Sequence, residues 1–303
     1  MPVPEDPTEF YTHPVFITAL IICVIMLLFA LLIIINPKIR NTFKFLFKIY
    51  YVIALVPLYI IVGFLFLITL KRVNLFKKLR EIEFYSKFQR LYLDPTETLN
   101  EMRENPENYH LWTAILISLV FAFFDTMLII LVADKFYHGQ DSIITGFLNP
   151  DPPTIANSLL RGILKGLFGL ITFVPSYFTI HFLGKQMSKN PQIAVQANRS
   201  RFYQVKLIYI AWAYYLFPDA LWCIGFLLSL LFTSWEALIF TWVFGALCGI
   251  LELIYQIYSI NGIYDLQNKP KALFIWLISM IPAFVFGGLI LDGMLAPFIN
   301  SFI

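Results

Sequence analysis

Seven long apolar stretches run through this chain, at 15–36, 49–70, 111–133, 158–183, 207–232, 237–260 and 272–297, and they constrain its fold more than any other feature. A helix rises about 1.5 Å per residue, so roughly 20 apolar residues cross a hydrocarbon core about 30 Å thick. In lipid, a single crossing segment satisfies its backbone polar groups only as a helix. The fold expected is therefore all-α, a polytopic transmembrane bundle of seven spans. Composition agrees: 59% of residues are hydrophobic and 14% charged, against about 45–50% and 25% in ordinary globular domains. The mean hydropathy is +0.74. The lipid bilayer is thus the first expected partner.

Other classes are disfavoured by what the sequence carries. A net charge of +3, scattered along the chain, is not the concentrated basic face of a nucleic-acid binder. Cys23, Cys223 and Cys248 sit singly in apolar runs and read as small hydrophobes. Neither a metal site nor a cofactor is expected, because no HExxH, GxSxG, P-loop or GxGxxG pattern occurs. The first apolar run follows Glu5, Asp6 and Glu9 without a Lys or Arg, and is too long for a signal peptide.

Prolines interrupt four spans, at Pro57, Pro175, Pro218 and Pro282, each removing a backbone donor. Small residues four apart (Gly162 and Gly166, Gly245 and Gly249, Ala283 and Gly287) permit close helix approach. Packing within the chain accounts for them, with a homo-oligomeric face as the alternative.

The stretches divide the chain into a two-span extension (1–70), a linker (71–110) and a five-span domain (111–303). In the linker, Leu75, Leu79, Ile82, Tyr85 and Phe88 recur at helical spacing among Lys77, Lys78, Arg80, Lys87 and Arg90. That pattern predicts a basic amphipathic helix over 74–92, lying on the membrane surface. Asp94-Pro95-Thr96-Glu97 then begins a second helix that Asn105-Pro106 ends. Lys and Arg are concentrated in 71–110 and 185–206, which puts both on the cytoplasmic side. With seven spans the N-terminus is cytoplasmic and the C-terminus outside. The basic loop with Lys38, Arg40, Lys44 and Lys48 would then face outward. The alternative is that 49–70, broken at Pro57, dips in and returns on one side; the full crossing is the expectation.

Two motifs carry a resemblance. One is Asp94-Pro95-Thr96-Glu97-Thr98-Leu99-Asn100-Glu101, followed by Pro106; the other is Ala213-Tyr214-Tyr215-Leu216-Phe217-Pro218. From about residue 92 onward the layout resembles the Yip-domain family, membrane proteins with five closely spaced spans behind a cytoplasmic N-terminal part. Where eukaryotic members have Asp-Leu-Trp-Gly-Pro, this chain has Tyr109-His110-Leu111-Trp112-Thr113, so the resemblance is to the prokaryotic branch. It implies a non-enzymatic adaptor or organiser of membrane complexes or trafficking. Its partner would be a membrane protein or a small-GTPase-like protein. The prokaryotic plasma membrane is the favoured location, with Golgi or endoplasmic reticulum as the alternative.

Ionisable groups at membrane depth are candidate sites by default. Asp219 follows Pro218 in mid-span, where a structural kink with the carboxyl neutral or bonded to a neighbouring helix is the plainer reading, and an ion or substrate site built on a broken helix is the alternative. Glu252 and Gln256, one turn apart, together with His181, are expected to serve interhelical hydrogen bonding, with a polar cytoplasmic-side cavity as the alternative. Asp125 and Lys165 both lie roughly 10–12 Å deep on neighbouring spans and are expected to form a buried ion pair. These groups support the alternative function, a small transporter centred on Asp219.

Overall fold

A computed structural model of the chain describes residues 14–36, 38–39, 45, 48–49, 51–56, 59, 83–137, 171, 173–191, 193, 203–218, 222–225, 227–228 and 235–287. Among them every regular element is helical. The helices are α1 (Pro14–Ile35), α2 (Glu83–Leu93), α3 (Pro95–Glu104), α4 (Leu111–Tyr137), α5 (Val174–Met187), α6 (Tyr203–Tyr215), α7 (Trp235–Ile263) and α8 (Lys269–Phe284), with a single 3-10 turn at Pro106–Asn108.

α7 is the hub, packing against α1, α3, α6 and α8, while α5 packs on α8 and α4 on α6. One contiguous core draws on all three sequence divisions: Ala30 and Tyr51 from the extension, Phe88 and Leu99 from the linker, Leu207 and Tyr255 from the last part. By length and composition, Phe244–Ile263 and Lys269–Gly287 are apolar enough to cross a membrane, and Leu111–Phe124 is apolar but shorter. α1 contributes a 22-residue helix with no charged side chain.

The linker departs from the expected surface helix. In α2, Phe88, Leu91 and Tyr92 are almost wholly buried, so protein rather than lipid covers its apolar face. Residues 74–82 of the anticipated helix lie outside the described residues. α3 begins as anticipated, with Pro95 at its first turn, where the missing N–H is harmless. Asp94 makes no side-chain cap bond; instead the Thr98 hydroxyl donates back to the Asp94 carbonyl at 2.9 Å.

Four tyrosines lock the α2–α3 junction into the bundle. The Tyr92 hydroxyl donates to the Tyr214 carbonyl at 2.7 Å, and the Tyr255 hydroxyl donates to the Tyr92 carbonyl at 2.9 Å. The Tyr92 ring meets Tyr215 edge-on at 5.5 Å and Tyr255 at 5.4 Å. Each such hydrogen bond contributes about 1 kcal/mol net, and each ring pair about 0.5–1.5 kcal/mol beyond its burial. Glycines let the helices close on this core. A Cβ on Gly262 of α7 would lie 2.8 Å from Leu99 of α3, and one on Gly184 of α5 would lie 2.7 Å from the Tyr264 ring.

The prolines behave differently from one another. Pro175 stands in the first turn of α5, and Pro218 lies in the turn that follows α6. Pro282 alone lies inside a described helix. Pro57, and the Gly162 and Gly166 pair, lie outside the described residues.

The seating of α3 on α7 is open to test. Gly262→Ala should lower stability by about 1–3 kcal/mol, as overpacking does, which thermal unfolding of the detergent-solubilised protein would register. An unchanged midpoint would mean that α3 does not rest against this glycine.

Candidate functional site

Between α4, α5, α6, α7 and α8 lies a cavity of about 710 Å³ whose walls include Glu252, Gln256, Tyr177, Tyr209, Trp212 and Trp276. Glu252 and Gln256 share one face of α7 because they are four residues apart. They form a directed chain with α8. The Trp276 indole N–H donates to the Gln256 amide oxygen at 2.7 Å, and the Gln256 amide nitrogen donates to Glu252 Oε1 at 2.6 Å. An indole nitrogen only donates, so Trp276 sets the amide orientation and leaves its NH2 pointing at Glu252. Glu252 is thereby held as an acceptor on the cavity wall.

The expected trio of Glu252, Gln256 and His181 is therefore two-thirds assembled. His181 stands apart from the cavity, its Nδ1 3.1 Å from the Tyr264 hydroxyl. Asp219 and Lys165 lie outside the described residues. Of Asp125 only the helix backbone is described, so its pairing with Lys165 lies outside them as well. Gly245 and Gly249 have separate environments: a Cβ on Gly245 would meet the Trp222 ring at 2.6 Å, whereas Gly249 has open space beside it and lines the cavity.

A second polar cluster, not foreseen from the sequence, joins the loops at one end of the bundle. The turn after α7 closes with Leu266 N–H on the Asn261 carbonyl at 3.1 Å and Asp265 N–H on the Gly262 carbonyl at 3.3 Å. This arrangement demands a left-handed residue at Asp265, whose φ is +48°. Glycine is the usual occupant, and the aspartate is retained where its carboxylate is engaged. Asn190 donates to it at 2.9 Å and Arg103 pairs with it at 3.6 Å. Arg103 also donates to the Gly262 carbonyl at 3.0 Å, and the Tyr203 hydroxyl donates to the Arg103 carbonyl at 3.1 Å. Burial first, and the Glu107 carboxylate second, raise the Tyr203 phenol above its ordinary pKa, which keeps it a donor here. Four segments distant in sequence are thus tied at one end. The only foretaste in the sequence is the placement of 71–110 and 185–206 on one side by their basic residues.

Compared with protein-family models, curated proteins and solved structures, the chain finds no match. Its function is therefore read from the geometry alone.

The hydrogen-bonded chain lends itself to a direct check. Trp276→Phe keeps the ring but removes the donor, so the Gln256 amide loses its orientation and the fold about 0.5–1.5 kcal/mol. His181→Ala, away from the cavity, should leave the remaining indole N–H resonances of the cavity unshifted in NMR spectra, whereas Gln256→Leu should move that of Trp276. Identical spectra in Gln256→Leu and the parent would contradict the chain.

Proposed function

We propose that this chain is a multi-pass membrane protein of Yip-domain type that works as a non-enzymatic adaptor, using the docked α2–α3 hairpin as a rigid recognition surface. Membrane residence is supported by the outward faces of the helices. Ile17, Leu20, Ile21, Val24, Ile25 and Leu28 of α1 are exposed, as are Trp112, Leu116, Val120 and Phe124 of α4, and Phe274, Leu277, Ile281 and Phe284 of α8. Contiguous apolar stripes of this size suit lipid and not water.

The observation that carries the adaptor reading is the two-sidedness of the hairpin. Its apolar side is clasped in the core, while Asp94, Glu97, Glu104 and Glu107 are exposed on the other. Arg90 braces α2 against α3 through Glu101 at 2.6 Å. Lys87 reaches the Asn108 carbonyl and lies 5.1 Å from the Tyr109 ring, which holds α2 to the start of α4. A partner would meet a preformed polar plate whose ordering cost is already met by folding.

The topology we propose differs from the expectation at its N-terminal end. A full crossing by 49–70 would leave Tyr51 within about 3 Å of the outer surface. Tyr92, beside Tyr214 and Tyr255, would lie only about 8–10 Å below the inner one. Yet the rings of Tyr51 and Tyr92 are 6.4 Å apart, Tyr51 lies 6.5 Å from Phe88, and the Tyr85 hydroxyl is 3.3 Å from that of Tyr51 and 3.2 Å from that of Tyr59. These contacts favour the dipping arrangement for 49–70. The basic loop of Lys38, Arg40, Lys44 and Lys48 then faces the cytoplasm, as positive charge prefers, and the acidic N-terminus faces outward. Six crossings remain, with the C-terminus outside.

A second reading, a small transporter, draws on the Glu252 cavity and on Asp219. The two separate in one experiment. Reversing the plate by Glu97→Lys, Glu104→Lys and Glu107→Lys in a folded protein should strip away a stoichiometric membrane-protein partner and abolish cellular function, with Asp219→Asn harmless. The transporter reading requires the opposite pattern. For topology, cysteines placed at 41 and at 8 in a Cys-free background should be labelled from the cytoplasmic and outer sides respectively; the reverse would restore the full crossing.

A further inference from the structure

The cavity holds an unusual combination of groups. Among the described wall residues Glu252 is the one carboxylate; it accepts from Gln256, and its other oxygen has no donor among the described residues. Several of the remaining polar tips are engaged by other side chains. The Trp212 indole N–H donates to the Ser259 hydroxyl at 2.7 Å, the Trp276 indole N–H is committed to Gln256 at 2.7 Å, and the Tyr209 and Ser118 side chains are bonded to each other. What these side chains offer the cavity is therefore ring surface. The Tyr177 ring lies 5.3 Å from Trp212 in a tilted contact and 5.7 Å from Tyr209 edge-on, and these rings share the cavity wall with the carboxylate.

Such a site discriminates by chemistry. An anion finds a negative charge and few free donors. A hard metal ion needs about six oxygen ligands, and one carboxylate with an amide is too few. A weakly hydrated organic cation suits both features, because ring faces attract it and the Glu252 carboxylate has no counter-charge among the described residues. The volume, about 710 Å³, falls in the range of roughly 300–1,000 Å³ that holds a small organic molecule.

We propose that this cavity binds an organic ammonium group, with Glu252 as its counter-ion and Tyr177, Tyr209, Trp212 and Trp276 as its aromatic cage. The inference stands whether the bundle serves as an adaptor or as a transporter. Two sources share this chemistry: the ammonium headgroup of a lipid, carrying its tail through the open side of the cavity, and a free soluble amine.

The test uses the full-length protein in maltoside detergent, free of ammonium lipids, read by tryptophan fluorescence and calorimetry. The probes are choline, hexyltrimethylammonium and 3,3-dimethylbutan-1-ol, the uncharged isostere of choline. At least one ammonium probe should bind saturably, and choline or its alkylated analogue should exceed the alcohol by about tenfold or more in affinity. Preference for the hexyl compound over choline assigns the site to a lipid headgroup, and equal binding of the two assigns it to a soluble amine. Glu252→Gln should weaken ammonium binding by about tenfold or more, and Tyr177→Leu should weaken it too. Equal affinity for alcohol and ammonium, no saturable binding, or a natively eluting Glu252→Gln protein with parental affinity would each overturn the proposal. The first two comparisons are made on the unsubstituted chain, so a variant that fails to fold does not protect it.

Discussion

The clasp around Tyr92 is the interaction on which the rest of the arrangement depends. One residue, buried from solvent, uses its hydroxyl on α6 and its carbonyl on α7. The backbone bend between α2 and α3 is thereby fixed to two helices that follow it by more than a hundred residues. Away from water, both groups would be costly if left unpaired, so releasing the hairpin means breaking both bonds together with the ring contacts to Tyr215 and Tyr255. Seating Tyr92 also sets where Leu99 falls against Gly262 and where Arg103 reaches the end of α7. The packing of one ring thus propagates to the polar cluster at the loop end.

α7 connects the clasp to the cavity. On a single helix, Tyr255 faces the hairpin, Glu252 and Gln256 face the cavity, and Gly262 and the turn at Asp265 receive α3. Tyr255 and Gln256 are adjacent in sequence, and their side chains leave the helix on different sides, one to the Tyr92 carbonyl and the other to Trp276.

Much of this was legible in the sequence, and the boundary is physical. Helical class followed from the length of the apolar runs, and the α3 boundaries from Pro95 and Asn105-Pro106, because those signals are local. The pairing of Glu252 with Gln256 was readable from the helical repeat. Long-range contacts were not. The linker's alternation of Leu75, Tyr85 and Phe88 with Lys and Arg is the same whether lipid or protein covers the apolar face, so the surface-helix expectation for 74–92 failed at Phe88 and Tyr92. Trp276 carried no sequence signal beyond the general need of a buried indole N–H for an acceptor. His181 was assigned to the cavity by depth alone, and depth does not fix the direction in which a side chain points. Asp265 was overlooked because a left-handed aspartate is justified only by Arg103 and Asn190, neither of which is its neighbour in sequence.

Whether the α2–α3 hairpin belongs to the core of the bundle can be read from amide hydrogen exchange of the full chain in lipid nanodiscs, comparing 86–104 with 250–263 of α7. A hairpin built into the core exchanges slowly and together with α7, opening as one unit. Rapid exchange throughout 86–104 beside a protected α7 would contradict that placement and return the hairpin to the membrane surface.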